Sequence, residues 1–266
     1  MDAIVTAGGI PLPEEYLYGE TRGHSKALLD IAGKPMIQWI LDALGKARTI
    51  DNLIVVGLTD KSTLSCSKPI HYVPNQGKML DNLRAGIQRA VELGTKSTHV
   101  LFVSSDIPAI TGEMVDWVVS NAMQTDHDLY YNAIPRPVME ARFPESRRTY
   151  LKLKDMQVTG GDMNIARIKL VTSRERDELW ERIFNTRKSP LQQAALIGLD
   201  TLFLMLFRAL TLEALVEKTM HRLGLNGRVL VCPYAEVGMD VDKPVQLELI
   251  RKVLKKQLKK SAKAKQ

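Results

Sequence analysis

The sequence predicts an α/β fold: a mixed, mostly parallel sheet flanked by helices, with a helical insertion before the last strand. Three observations predict it. Through residues 1–127, short apolar runs alternate with segments whose apolar residues recur at helical spacing, a pattern that implies parallel strands joined by crossovers. Glycine or acid follows directly on strand-like runs at Gly8-Gly9 and at Ser104-Ser105-Asp106, where open α/β sheets bind their ligands. After residue 128 the alternation loosens, and it resumes only with a last strand and a closing helix.

Each element has its own signal. Ala3–Ala7 is the first predicted strand, and a polar stretch with proline and glycine follows to Ser25. Met36, Ile37, Ile40, Leu41 and Leu44 recur at helical spacing behind Pro35, a residue well placed at a helix start. Leu53–Gly57 and Ile70–Val73 predict strands, Leu80–Leu93 a helix, Thr98–Val103 a strand and Gly112–Met123 a helix. Asp128–Ile134 predicts a strand, and Pro135, Pro137 and Pro144 mark loops. Tyr150–Lys154 alternates like a half-exposed strand, Thr159–Asp162 reads as a turn, and Asn164–Ile168 as a strand. Residues 173–222 read as mostly helical, with Leu202–Phe207 expected in the core and Trp180 and Phe184, four apart, packing along one helix face. Arg228–Cys232 and Pro244–Leu258 give the closing strand and helix. No repeat or long linker divides the chain, so residues 1–258 are expected to form one domain, followed by a basic tail at 259–266.

Composition narrows the class. Lys and Arg total 37 against 30 Asp and Glu, a net charge of +7. Arg251–Gln266 holds eight basic residues and no acid, which leaves the first 250 residues at −1. The excess therefore belongs to a terminal helix end, expected to be a solvated tail rather than a specific nucleic-acid surface. A membrane span needs about 20 apolar residues; the longest candidate, Ala194–Leu215, is broken by Asp200, Arg208 and Glu213. Met1–Val5 has an early acid and no basic flank, so no signal peptide is expected there. Two cysteines supply no disulfide framework, and the expected compartment is the reducing cytoplasm, with Cys66 and Cys232 as ordinary thiols. The five histidines lack metal-ligand spacing, and no zinc site is predicted.

The chemistry-bearing residues fall in three places. Paired glycines at Gly8-Gly9 let backbone N–H groups approach a phosphate or base, and Lys26, between a polar loop and an apolar run, offers a point charge for a phosphate. Asp106 follows a buried strand and faces the ligand crevice; Mg²⁺ takes one or two such carboxylates with substrate phosphates. Asp240 and Asp242 alternate, so that in a strand one of the pair faces the metal.

Together these segments resemble the MobA-like NTP transferases, nucleotidyltransferases of the GT-A, Rossmann-like fold that make nucleotide-activated sugars, alcohols or cofactors. The resemblance rests on Ala7-Gly8-Gly9 with Ser25-Lys26, Ala32-Gly33-Lys34-Pro35-Met36, Ser105-Asp106-Ile107-Pro108 and Asp240-Val241-Asp242-Lys243-Pro244, and covers most of 1–127 and 226–258. It implies that Ala7, Gly8 and Gly9 contact the nucleotide, that residues 1–127 form the NTP-binding half, and that Lys26 stabilises charge at the α-phosphate. It implies that Asp106 and Asp242, ahead of Asp240, hold Mg²⁺. Gln76–Arg84, with Asp81 and Asn82, resembles the segment that approaches the nucleoside. Residues 128–225 would be the acceptor side, with Thr159, Gly160, Gly161 and Asp162 nearest the acceptor. The implied reaction moves an NMP from an NTP to a phosphorylated small molecule and releases pyrophosphate; a homodimer is compatible with it.

The sequence also departs from the family pattern. A longer insert, Ile10–Gly23, follows the paired glycines, Ser25 replaces the usual proline, and Arg22 is the candidate for the loop's arginine. Lys243 and Gln246 replace the usual capping residues, which predicts a weak cap on the last helix. These departures keep two alternatives open: a non-catalytic nucleotide-binding or regulatory protein, and a GT-A glycosyltransferase that takes a nucleotide sugar.

Overall fold

A computed structural model describes residues 1–58, 64–185 and 207–263, with only 198, 201, 204 and 205 between them. The strands are β1 (Ala3–Thr6), β2 (Asp30–Ile31), β3 (Lys34–Pro35), β4 (Leu53–Val56), β5 (Ile70–Val73), β6 (His99–Ser104), β7 (Leu129–Pro135), β8 (Leu151–Lys152), β9 (Gln157–Gly160), β10 (Met163–Arg167) and β11 (Gly227–Val231). The described helices are α1 (Tyr18–Thr21), α2 (Met36–Lys46), α3 (Met79–Glu92), α4 (Gly112–Ala122), α5 (Arg136–Arg142), α6 (Ile168–Thr172), α7 (Asp177–Asn185), α8 (Leu212–Leu223) and α9 (Pro244–Lys263).

One sheet runs β5-β4-β1-β6-β10-β7-β9-β8, and β11 pairs with β7. β5, β4, β1 and β6 are parallel in register, Ala3 lying between Leu53 and Leu101. β10 runs antiparallel to both β6 and β7, and β11 parallel to β7. The carboxyl ends of β1, β4, β5, β6 and β7 therefore open on one side of the sheet. β9 pairs with the far half of β7 and β10 with its near half. The chain breaks between them at Gly161-Asp162, where Gly161 N–H donates to the Asn132 carbonyl and Asp162 N–H to that of Val237.

The strand period of two sorts the core into two layers. Val5, Val55 and Leu101 face a layer covered by α2, α4 and α9, where Ile37, Ile40, Val115 and Ile250 are buried. Ile4, Ile54 and Val100 face the other layer, covered by α3, α6 and α7, with Ile87, Leu170 and Trp180. Trp180 and Phe184 stack at 6.0 Å between ring centroids, as their spacing predicts. A smaller cluster under α8 contains Ala133, Leu153, Val158 and Leu212.

Most of the expected elements form within a residue or two. The middle region differs. Thr159 and Gly160 belong to β9, so the expected turn is confined to Gly161-Asp162. Pro137 opens α5 instead of marking a loop, since its missing N–H costs nothing in a first turn. Asp30–Pro35 forms an unexpected antiparallel pair, β2–β3, turned by Ala32 and Gly33, both at positive φ. Of Leu202–Phe207, three residues lie outside the described set; Leu204 and Met205 are half-buried and Phe207 is exposed, so the described members are not core. Among the described residues no helix is long and apolar enough to cross a membrane.

Candidate active site

The site begins at the end of β1. Ala7 N–H continues the ladder to the Val56 carbonyl, and the chain then leaves the sheet through Gly8 and Gly9. Gly8 lies against Gly57, which follows β4 at a φ of +96°. A Cβ on Gly57 would stand 2.5 Å from Gly8 Cα, and one on Gly8 would meet Asn75 Nδ2 at 3.0 Å. Both positions thus need glycine for close approach, and Gly57 needs it for its backbone conformation as well. Asn75 is fixed in turn: its Oδ1 accepts from Gly77 N–H at 2.9 Å and from Asn82 Nδ2 at 3.1 Å. That leaves the Nδ2 donor directed at Gly8. Asn82 also accepts from Gln76 N–H through Oδ1, so it shapes this wall, whereas Asp81 is exposed in the first turn of α3.

Lys26 returns to the same point after the insert. Its N–H donates to the Gly9 carbonyl at 2.9 Å, and it begins a single 3-10 turn. Ser25 caps that turn: Oγ accepts from Ala27 N–H and donates to the Ala7 carbonyl at 2.7 Å. Serine in place of proline thus ties the returning loop directly to β1.

Asp106 follows β6, where Ser105 N–H donates to the Thr6 carbonyl. Its own carbonyl accepts from Val241 N–H at 2.9 Å, which brings Asp240 and Asp242 across the sheet. Lys26 Nζ lies 2.6 Å from both Asp106 Oδ2 and Asp242 Oδ1. Burial works to lower the Lys26 pKa, but the two carboxylates outweigh it and hold the ammonium well above the lysine range. For Asp242, burial pushes up, and the charge and hydrogen bond of Lys26 win and hold it below the usual carboxylate range.

Asp240 behaves differently. It pairs with Arg148, and both side chains are about six-sevenths buried. Burial drives its pKa up to about 8 against the pull of Arg148, and the carboxylates of Asp162, Asp242 and Asp106 add to the rise. The segment is not a strand, so the expected alternation of faces does not apply: Asp240 pairs with Arg148 and Asp242 with Lys26. The last helix is also better capped than the sequence suggests. Gln246 Oε1 accepts from Asp242 N–H at 3.0 Å and Lys243 N–H at 2.9 Å, reaching back from inside α9.

A cavity of about 590 Å³ opens beside Lys26, Asp242 and Lys243, walled by Gly9, Glu14 and Tyr16 of the insert. Arg22 does not line it; it ends α1 in the left-handed conformation, exposed. On the other flank, Gly161 and Asp162 sit beside Ser104, whose N–H donates to the Asp162 carbonyl, while Thr159 is buried within β9. The structure thus brings together Ala7, Gly8, Gly9, Lys26, Asp106, Asp162, Asp240 and Asp242, and leaves Arg22, Asp81 and Thr159 apart. Sequence reasoning missed Gly57, Asn75 and Arg148. A glycine ending the second strand was the available signal for Gly57; Arg148 had none.

The donor set suits a hard cation. Asp106 Oδ1 is buried with no hydrogen-bond partner among the described residues, an acceptor left over next to a clustered negative charge. Among the described residues no three His, Cys, Asp or Glu side chains could together hold a metal ion. Two carboxylates completed by phosphate oxygens match the way Mg²⁺ is bound.

Comparison with known proteins agrees with this fold. The family model for the MobA-like NTP transferase domain matches residues 3–167. A 3-deoxy-manno-octulosonate cytidylyltransferase of Geotalea uraniireducens is 30% identical over 102 residues, 37% of this chain and 39% of that protein. A probable molybdenum cofactor guanylyltransferase of Thermococcus gammatolerans is 28% identical over 102 residues, 38% of this chain and 50% of that protein. The matches thus span half or less of these curated relatives. A hypothetical transferase structure from Thermus thermophilus is 34% identical, covers 92% of this chain and 98% of its own, and superposes with a TM-score of 0.78. The CTP complex of CMP:2-keto-3-deoxy-manno-octonic acid synthetase, 16% identical, shares the fold at a TM-score of 0.57 over 96% of this chain and 98% of its own. This chain belongs to the MobA-like NTP transferase family.

Proposed function

We propose that the chain is a nucleotidyltransferase that moves an NMP from an NTP to a phosphorylated small molecule and releases pyrophosphate. The observation that carries this reading is Lys26 held between Asp106 and Asp242 at the mouth of the Gly8-Gly9 turn. The base would lie toward Gly8 and Asn75, and the phosphates would run past Gly9 to Lys26. With nucleotide bound, the Lys26 ammonium would turn from the carboxylates to the α-phosphate and neutralise charge that grows there. Asp106 and Asp242 would hold Mg²⁺, which supplies Lewis-acid stabilisation of the phosphate oxygens. No covalent intermediate is needed, since positioning and charge stabilisation suffice for phosphoryl chemistry.

A thermal-shift screen with CTP, GTP, ATP and UTP, each with and without Mg²⁺, tests the donor; the names of the relatives put CTP and GTP first. A ligand at a hundred times its Kd stabilises by about 2.7 kcal/mol, which is easily read. The expected result is a Mg²⁺-dependent shift for one NTP that Asp106→Ala loses while keeping its fold. Turnover should fall by roughly 10²–10³ in that variant. Near-normal turnover in Asp106→Ala would refute the metal assignment.

A second reading has a specific observation behind it. Glu14 of the insert lines the cavity beside Lys26, while Arg22, the candidate for the loop's arginine, does not line it. A nucleotide shift without pyrophosphate release would favour a binding or regulatory role.

A further inference from the structure

Arg148 reaches the carboxylate cluster from the loop that follows α5. Phe143 is fully buried at the end of α5, Ser146 N–H donates to its carbonyl, and Ser146 is itself buried. Gln246 Nε2 donates to the Ser146 carbonyl at 3.5 Å, which ties the loop to the first turn of α9. The two residues that follow are then delivered to the site. Arg147 takes a positive φ and is exposed, and Arg148 turns inward to Asp240. Among the described residues its guanidinium donates through Nη1 to Asp240, while Nε is buried with no hydrogen-bond partner there. A guanidinium engaged on one side and unsatisfied on another is arranged for a planar, two-oxygen acceptor. Such an orphaned donor is costly unless a ligand completes it.

We propose that Arg148 anchors the phosphate of the acceptor, and that Asp240 is a positioning residue which fixes the guanidinium rather than a metal ligand. This inference rests on the nucleotidyltransferase reading and its phosphorylated acceptor, and deepens it by naming the residues that hold that phosphate. Arg148 pairs with Asp240, the carboxylate that also feels the charge of Asp162. One non-bridging oxygen of the acceptor phosphate forms the bond to the α-phosphorus. The bond from that phosphorus to the α,β-bridging oxygen breaks, and the electron pair leaves with pyrophosphate. The dianion attacks as it stands, so no base is required.

Inorganic phosphate is the smallest probe of this subsite. It is titrated calorimetrically into protein saturated with Mg²⁺ and the α,β-methylene analogue of the NTP that gives the largest thermal shift. Occupied nucleotide sites leave only the acceptor side free. The wild type is expected to take up one phosphate. Arg148→Gln should weaken that binding about thirtyfold or more, with the analogue's own affinity unchanged. Arg148→Lys keeps the charge beside Asp240, and so the local fold, and should weaken phosphate by less. Asp240→Asn should weaken phosphate but not the nucleotide analogue, and Asp240→Glu should restore part of the loss. Equal phosphate binding in wild type and Arg148→Gln would overturn the inference, as would a wild type that binds the analogue but no phosphate. A wild type that binds no nucleotide would overturn the parent reading, and the inference with it.

Discussion

Gly57 shows how narrowly the site is specified at the scale of a residue. Its φ of +96° is unfavourable for any side chain, and a Cβ would press on Gly8 Cα. Gly57→Ala should therefore cost about 1–3 kcal/mol in urea unfolding and also weaken nucleotide binding, because Gly8 must move to admit the methyl group. Thiol chemistry gives a second expectation. Burial pushes the Cys232 thiol up to about 11, whereas Cys66 is half-buried with its Sγ on the Leu41 carbonyl. A native disulfide-exchange titration at pH 8 should find at most one thiol, that of Cys66, and denaturant should reveal the second. Fast reaction of both in the native state would contradict the burial of Cys232.

At the scale of an element, α9 links the site to the body. Its first turn holds Asp242 in place, and its apolar face enters the core through Leu247, Ile250 and Leu254. Gln246→Ala removes the acceptor for two backbone N–H groups and the tie to Ser146. It should lower stability by roughly 1 kcal/mol, the usual worth of a cap, and it should also weaken acceptor binding through the Arg148 loop. Gln246→Glu keeps the cap and loses only the tie, so it separates the two effects: stability near wild type, acceptor binding still weakened. A fall in stability with no change in acceptor binding would confine Gln246 to the cap.

At the scale of the whole molecule, charge and stability are carried by different parts of the chain. The first 250 residues are near neutral, and the basic excess lies at the end of α9, where everything described after Leu254 is exposed. A chain ended after Gln257 should keep its thermal midpoint and lose salt-sensitive, non-specific binding to polyanions. Ending it after Ile250 would be a different experiment. Leu254 is 1% exposed in the core, and removing it should cost roughly 2–5 kcal/mol. Equal midpoints for the two truncations would show that Leu254 adds nothing to the core.

The sequence by itself determined the parallel half of the sheet and the order of the chemistry along it. β1, β4 and β6 are mostly buried, so they read as short apolar runs, and the carboxyl ends of β1 and β6 mark Gly8, Gly9 and Asp106. The middle region was less legible because it is built from long-range contacts. β8 is two residues long and exposed, and α5 hides behind prolines. Tertiary structure decided the site's partnerships: Lys26 meets Asp242 across 216 positions, Asp240 faces Arg148 across 92, and Gly57 closes on Gly8. Local pattern fixes which residues can form an element, because backbone geometry repeats over a few positions. Which charges meet depends on how strands are ordered and loops return, and no local period carries that information.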